Sequence, residues 1–341
     1  MQSIPVRVTP TLDDVAARAG VSKATASRAI SRPELVARAT RQRVERAVEE
    51  LQYHPNEMAR GLRQRASRTI GLVLTDFLNP FQAMIAKGAQ DAAFTLGYNL
   101  IICNTDEDSS REKGYLATLQ ANQVQGLILI PTEHSSRNLR AVRNLPIVEV
   151  DRVSGNANSH AVLVDNVEGS REAVRHLITL GHKKIGMILG KREVTTGRER
   201  LEGYMQAMRE ANIVVKLEWI AEGNHTAEAG QKAAAQLVAL PSDTRPTAFF
   251  CFNNEMTAGA LLQLRKDGLR VPHDISIVGF DDSPWAQLVD PPLTVVAQPA
   301  YEMGHIASER LLGIIKRKTS DVSVSRLATR LIVRESTRAL A

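Results

Sequence analysis

The chain has 341 residues, 43% of them apolar, which is enough for two or three domains with substantial cores. Its formal charge of +6 sits entirely in the first fifth: residues 1–68 hold 13 Lys/Arg against 7 Asp/Glu, and the remainder balances. No apolar run approaches the roughly 18 residues of a membrane span, MQSIPVRVTP lacks a signal peptide's apolar segment, and two cysteines make neither a disulfide framework nor a metal site.

These features predict a soluble, cytoplasmic protein with no cofactor, no metal and no membrane partner. Its N-terminal segment should attract a polyanion. Residues 1–10 read as a flexible tail. Thr11 then caps a helix with Asp13 and Asp14 in its first turn, where the positive helix end favours carboxylates. Leu12, Val15, Ala16 and Ala19 fall on one face. Gly20 makes the turn, Val21 plugs it, and Ser22 caps a second helix whose Ala26, Ala29 and Ile30 face the first. Small residues where two helices meet at a tight turn predict a helix-turn-helix within an all-α head spanning 11–55.

The second helix leaves Lys23, Ala24, Thr25, Ser27 and Arg28 outward, sized to enter a major groove. Base readout is assigned to Lys23, Ala24 and Arg28, and phosphate positioning chiefly to Ser22, Thr25 and Ser27. Thr11 and Asn56 complete the candidate DNA contacts of the head. A third helix is expected at about 40–51, with Val44, Ala47, Val48 and Leu51 inward and Arg41, Arg43 and Arg46 outward. Pro55 opens a short segment, 56–64, too short to be a stable helix in isolation. On it Leu62 stands beside Arg60 and Arg63, an apolar wedge flanked by cations of the kind that kinks DNA from the minor groove. A basic linker follows at 65–69.

From residue 70 the pattern changes. Apolar runs at 70–75, 99–104, 126–131, 146–150, 161–165, 184–189, 248–252, 275–280 and 294–297 mostly alternate with segments of helical period. This predicts an α/β body with doubly wound parallel sheets, too many strands for one core and therefore two lobes. Cys103 and Cys251 lie within such runs and read as buried thiols. No G-x-S-x-G, Walker or metal-ligand spacing appears, which argues against an enzyme.

TLDDVAARAGVSKATASRAIS, TRQRVERAVEELQYHPNEMARGLR, VLVDNVEGSREAVRHLITLGHKKIGMILG, RPTAFFCFNNEMTAGAL and GLRVPHDISIVGFDD together resemble the LacI/GalR family of bacterial transcription regulators along essentially the whole chain. The resemblance implies a repressor that binds a palindromic operator in double-stranded DNA as a homodimer. It also implies a hinge helix at 56–64 with Leu62 as its intercalating residue, and a periplasmic-binding-protein-like body at 70–341. The body would have an N-lobe of about 70–165 and 298–325, a C-lobe of about 166–297 and 326–341, and a small effector between them. DPPLTVVAQPAYEMG and RLIVRESTRALA resemble the subgroup that includes the cytidine regulator. A tail of leucine heptads after 330 is absent, which favours a dimer over a tetramer. A solute-binding transport protein is the alternative for the body fold, disfavoured by the head.

Ligands of open parallel sheets lie at the carboxyl ends of strands. Asp281, Asp151, Thr132, Asn253 and Asn254 follow strand-like runs, and Arg200 begins the helix after KREVTTGRER. A carboxylate and a guanidinium converging from two lobes suit vicinal hydroxyls, so a sugar, sugar acid or nucleoside is expected as effector. The matching family positions of Arg200 and Asp281 contact effectors. Phe81 could stack on a sugar or base face, and Thr196 and Gln298 are further candidates. Arg152, with Lys191, Arg192 and Arg198 nearby, would also fit a charged sugar. His225 stands where several nucleoside-responsive members carry an aromatic ring.

Overall fold

The computed structural model describes residues 10–53, 68–142, 144–156, 159–316 and 321–340, which divide into a head, 10–53, and a body starting at Arg68. In the head, α1 (Leu12–Ala19) begins at Thr11. The Thr11 hydroxyl accepts from the Asp14 N–H while the Asp14 carboxylate accepts from the Thr11 N–H at 2.7 Å. That reciprocal pair satisfies two of the orphan donors at the helix start. Gly20 sits at φ 63° and donates to the Ala16 and Ala17 carbonyls, closing the turn. The hydroxyl of Ser22 accepts from the Thr25 N–H at 3.1 Å and starts α2 (Lys23–Ser31). The third helix, α3 (Arg38–Leu51), begins two residues earlier than its pattern suggested. Val15, Ala19, Ala29, Val44 and Ala47 form the buried core, with Val48 and Leu51 partly buried against it. Arg41, Arg43 and Arg46 are exposed, as their periodicity predicts. The segments expected as hinge helix (56–64) and as most of the linker lie outside the described residues. Thr69, assigned to the linker, is already the first residue of β1.

The body contains two six-stranded sheets. The first has the order β11-β5-β4-β3-β1-β2, built from β1 (Thr69–Leu74), β2 (Asn99–Asn104), β3 (Leu127–Leu129), β4 (Ile147–Val150), β5 (His160–Val164) and β11 (Val324–Leu327). All its pairings are parallel. The second has the order β12-β10-β9-β8-β6-β7, from β6 (Ile185–Leu189), β7 (Ile220–Glu222), β8 (Ala248–Cys251), β9 (Ser276–Phe280), β10 (Thr294–Ala297) and β12 (Arg330–Ile332). It is parallel except for β12 against β10. The central strands are apolar on both faces because helices cover both. Both cysteines are free and buried.

Three strands were not among the expected runs: β7, β11 and β12. They are short edge strands with half-exposed, mixed residues, so neither alternation nor a continuous apolar run marks them. Because β11 pairs with β5 through Leu327, the last passage between lobes falls at residues 328–329. The sequence placed it after residue 325, which would cut β11 in two.

In the first lobe, α4 (Pro80–Thr95) packs on the long helix α11 (Ala300–Ile315), the most extensive helix pair in the body. Their approach depends on two glycines. A Cβ on Gly88 would lie 1.9 Å from the Tyr301 carbonyl oxygen, and one on Gly304 would lie 1.9 Å from that of Ile85. Backbone cannot yield locally as a flexible side chain can. Gly88→Ala should therefore destabilise the body by about 2–3 kcal/mol, lowering the thermal midpoint by roughly 2–4 °C per kcal/mol. An unchanged melting curve would show that the helices can separate at no cost.

Candidate functional site

The head presents one polar face. Ser22, Lys23, Ala24 and Arg28 are exposed, and Thr25 and Ser27 are half-buried. The Lys23 ammonium donates to Asp13 of α1 at 2.6 Å, and the Ser22 and Thr25 hydroxyls lie 2.8 Å apart. The side chain of Thr11 is committed to the capping box. Asn56, Arg60, Leu62 and Arg63 lie outside the described residues. The exposed side chains therefore share the outer face of α2, as the sequence pattern required.

In the body, a cavity of about 470 Å³ lies where the carboxyl ends of the strands of both sheets converge. Asp151 follows β4 and Asp281 follows β9, and the two are built alike. Each has left-handed backbone, φ 70° and 77°. Each donates its N–H to the neighbouring strand, Asp151 to the Val162 carbonyl at 3.0 Å and Asp281 to that of Val296 at 2.9 Å. Such backbone is costly for a non-glycine residue and clusters at ligand sites. Here it turns each carboxylate off the end of its strand.

Asp281 accepts from the Gln298 amide at 2.5 Å and from the Asn254 N–H at 3.4 Å. Burial raises its pKa, against the opposing charge of Arg200. Arg200, on α8 (Thr195–Glu210), is itself buried. It donates from Nε to Asn166 at 2.9 Å and from Nη1 to the Phe252 carbonyl at 2.5 Å. Its guanidinium lies 3.6 Å from the centre of the Phe280 ring and 4.6 Å from that of Phe252. Burial pulls its pKa down, and Asp281 and Asp151 oppose that. Burial also pushes the Asp151 carboxyl up to about 6, despite Arg152 and Arg200.

A second group closes the far side. Arg152 donates from Nη2 to Glu107 at 2.6 Å and to the Thr75 hydroxyl at 3.0 Å. Burial would raise the Glu107 pKa, but Arg152 and His225 outweigh it and hold the carboxylate well below its usual range. Glu107 belongs to the first lobe and His225 to the second. The imidazole stacks on Phe252 at 4.8 Å and its Nε2 accepts from the Lys191 N–H at 3.1 Å. Its proton is therefore on Nδ1, 3.5 Å from the Glu107 carboxylate. Burial pulls the ring's pKa down, against the neighbouring Glu107. Gly190 leaves room for that ring, since a Cβ there would come within 2.5 Å of it. A reciprocal amide pair, Asn79 with Asn254 at 3.2 Å, also spans the lobes.

Of the sequence-predicted residues, Phe81, Asp151, Thr196, Arg200, Asn253, Asp281 and Gln298 line the cavity. Thr132 and Asn254 do not. Thr132 is buried against α5 (Ser109–Ala121), where its N–H donates to the Glu112 carboxylate at 2.8 Å. The Asn254 amide is taken up by Asn79. The strand-end rule finds the right loop at Asn253 and Asn254 but not which of the two faces inward, and at Thr132 it finds a loop that does not line the cavity. Glu107 and Thr75 were missed, although both follow the ends of first-lobe strands and the same rule reaches them. Asp151 Oδ1, Arg152 Nε and Gln298 Oε1 are buried without a hydrogen-bond partner. Orphaned polar atoms converging on one cavity mark a place prepared for a polar ligand.

Residues 11–56 match the family pattern described as bacterial regulatory proteins, lacI family, and residues 174–337 match a periplasmic binding protein-like domain. The chain is 39% identical over 332 residues to the HTH-type transcriptional repressor CytR of Escherichia coli K12, covering 97% of each protein. It is 39% identical over 330 residues to the repressor PurR of Proteus mirabilis, covering 96% of each. The lac repressor dimer bound to operator and the anti-inducer ONPF matches with a TM-score of 0.86 at 28% identity, over 97% of this chain and 100% of that one. The chain belongs to the lacI family.

It is accordingly a helix-turn-helix transcriptional repressor of that family, and the solved lac repressor is a dimer bound to operator and to an anti-inducer. Transport-protein function has no support, since the relatives that span the head are repressors. None of the helices among the described residues is long and apolar enough to cross a membrane.

The Asp151 environment has a consequence for stability. A carboxyl with a folded pKa near 6, above its unfolded value of 3.8, binds its proton more tightly when folded. The stability it supports is present at low pH and is lost as pH rises through 6. Asp151→Asn should therefore stabilise the ligand-free protein at pH 8 by about 1–3 kcal/mol, with the gain vanishing below pH 4. Urea unfolding of both proteins at pH 4.5 and 8 measures this. A gain that is the same at both pH values would contradict the assignment.

Proposed function

We propose that the cleft binds a polyhydroxylated metabolite, a sugar or the sugar ring of a nucleoside, and that its occupancy sets the affinity of the head for its operator. The observation that carries this is the convergence on one cavity of Asp281, at a strand end, the nearby Arg200, and Asp151 at the matching strand end of the other sheet. A sugar hydroxyl both donates and accepts, so neighbouring hydroxyls bridge a carboxylate and a guanidinium. Arg200 has Nη2 left for a ligand once Nε and Nη1 are committed. Asp151 Oδ1 and Gln298 Oε1 add unfilled acceptors. Phe81, half-buried at the rim, offers an apolar face for a ring.

The site is read as binding its ligand without turnover, in keeping with relatives that are repressors. In the head, Lys23, Ala24 and Arg28 are assigned to base edges, Thr25 and Ser27 to phosphates, and Leu62 between Arg60 and Arg63 to the minor groove. Ser22 contributes chiefly as the cap of α2. This action belongs in the cytoplasm, on nucleoid DNA. A ligand that favours one closure state of the lobes by about 1–3 kcal/mol changes operator affinity about 5–150-fold.

Asp281→Ala should abolish the response to the effector while operator binding persists, read by gel retardation with and without a panel of sugars and nucleosides. A retained response would remove Asp281 from the site. Lys23→Ala and Arg28→Ala should each cost about 1–3 kcal/mol on the selected operator and relax the base preference at one position. Equal losses on operator and random duplex would reassign them to phosphates.

A further inference from the structure

The cleft contains an arginine already answered by a carboxylate of the protein. Arg152 is 4% exposed and borders the cavity with an unpartnered Nε, the geometry expected of an anion-binding residue. Its Nη2, however, donates to Glu107 at 2.6 Å, and the same Glu107 oxygen lies 3.5 Å from Nδ1 of His225 in the opposite lobe. Glu107 is held in place by more than these contacts. It has left-handed backbone at φ 59°, and its N–H donates to the Thr75 carbonyl at 3.2 Å. The remaining cations near the mouth are also engaged, Lys191 with Glu133 at 3.7 Å and Arg192 with Glu222 at 2.8 Å. The sequence alone left a charged sugar open on the strength of these cations.

We propose that Glu107 sets the charge preference of the cleft: its carboxylate occupies the Arg152 guanidinium in place of an anionic group on the ligand, so that neutral sugars or nucleosides are accepted and sugar acids and sugar phosphates are refused. This rests on the reading of the cleft as a polyol site. A carboxylate or phosphate entering beside Arg152 would meet Glu107 and the neighbouring Asp151. Repulsion between like charges in a poorly solvated space is a strong means of rejecting a near-identical ligand. A neutral hydroxyl there still finds Arg152 Nε as a donor. Because Glu107 reaches His225 only when the lobes are close together, the filter and closure of the cleft are the same contact.

The test compares full-length wild type, Glu107→Gln, Glu107→Ser and the double variant Glu107→Gln/Arg152→Gln by calorimetric titration. The probes are matched pairs: ribose and ribose 5-phosphate, glucose and glucuronate, uridine and uridine monophosphate. The readout is the change in affinity for the charged member between wild type and variant. The expected result is a gain of about tenfold or more for at least one charged member in whichever single variant keeps the wild-type circular dichroism spectrum. That gain should disappear in the double variant. Folded single variants with no gain, or a gain that survives removal of Arg152, would overturn the proposal. Whether the wild type binds the neutral members is a separate result. Its failure would count against the polyol reading, whereas the variant's gain concerns Glu107 alone.

Discussion

The body is organised around four ionisable groups gathered at the cavity where parallel strands end: Arg152, Arg200 and Asp281, which are buried, and Asp151, which is half-buried. Taking an ion out of water costs several kcal/mol even after relaxation, and a partner only partly offsets this unless the remaining lone pairs and protons are also met. The fold meets most of them. Arg200 lies between two phenylalanine rings with a carbonyl and an amide to receive it. Arg152 has Glu107 and Thr75, and Asp281 has Gln298 and a backbone N–H. Left unmet on residues that line the cavity are Asp151 Oδ1, Arg152 Nε and Gln298 Oε1. Asp151 is the least compensated of the four, and its raised pKa expresses that deficit. A ligand whose hydroxyls reach it would recover part of a cost that the empty protein already bears, which is what preorganisation means in energetic terms.

The contacts that join the two lobes across this space are of a different kind. Asn79 with Asn254, Glu107 with His225, Glu133 with Lys191 and the Val153 N–H with the Thr195 hydroxyl are neutral or partly solvated pairs at 3.2–3.7 Å, and the ion pair of Arg326 with Glu199 at 2.8 Å has an exposed arginine. A neutral hydrogen bond contributes about 0.5–1.5 kcal/mol and a partly exposed ion pair less. Each lobe has its own large apolar core, so separating the lobes breaks these few pairs without opening either. Rigid lobes joined by weak bridges give a molecule whose closure a single small ligand can tip, as gating by an effector requires.

Much of this was legible in the sequence because it follows local rules. Caps, a tight turn and alanines at close contacts specify the head, and apolar runs alternating with helical period specify the parallel sheets. The strand-end rule reaches Asp151, Asn253 and Asp281 directly. It fails one residue at a time. At Asn254 the loop is right, but the side chain is claimed by Asn79, far away in sequence, whereas the loop carrying Thr132 stays off the cavity, its N–H held by Glu112. Glu107 and His225 lie 118 positions apart in separate lobes, and only the assembled sheets bring them to 3.5 Å. Strands β11 and β12 were unreadable for a further reason. They are edge strands whose place is fixed by the crossings between lobes and not by their own residues.

The head shows the opposite balance between local and long-range forces. Among the described residues its buried apolar side chains are two valines and five alanines, and such an area alone gives little stability to a domain of this size. The caps at Thr11 and Ser22, each of a type that contributes about 0.5–2 kcal/mol, therefore carry a large share. The same groups fix where α2 begins, and so where Lys23, Ala24 and Arg28 point. In the free head the Lys23 ammonium rests on Asp13, a solvated pair that weighs little against a guanine or a phosphate. The face proposed to read the operator is thus pre-shaped in its backbone and loosely held in its side chains. On that proposal, one helix could test many sequences and settle only where its charges find better partners than each other.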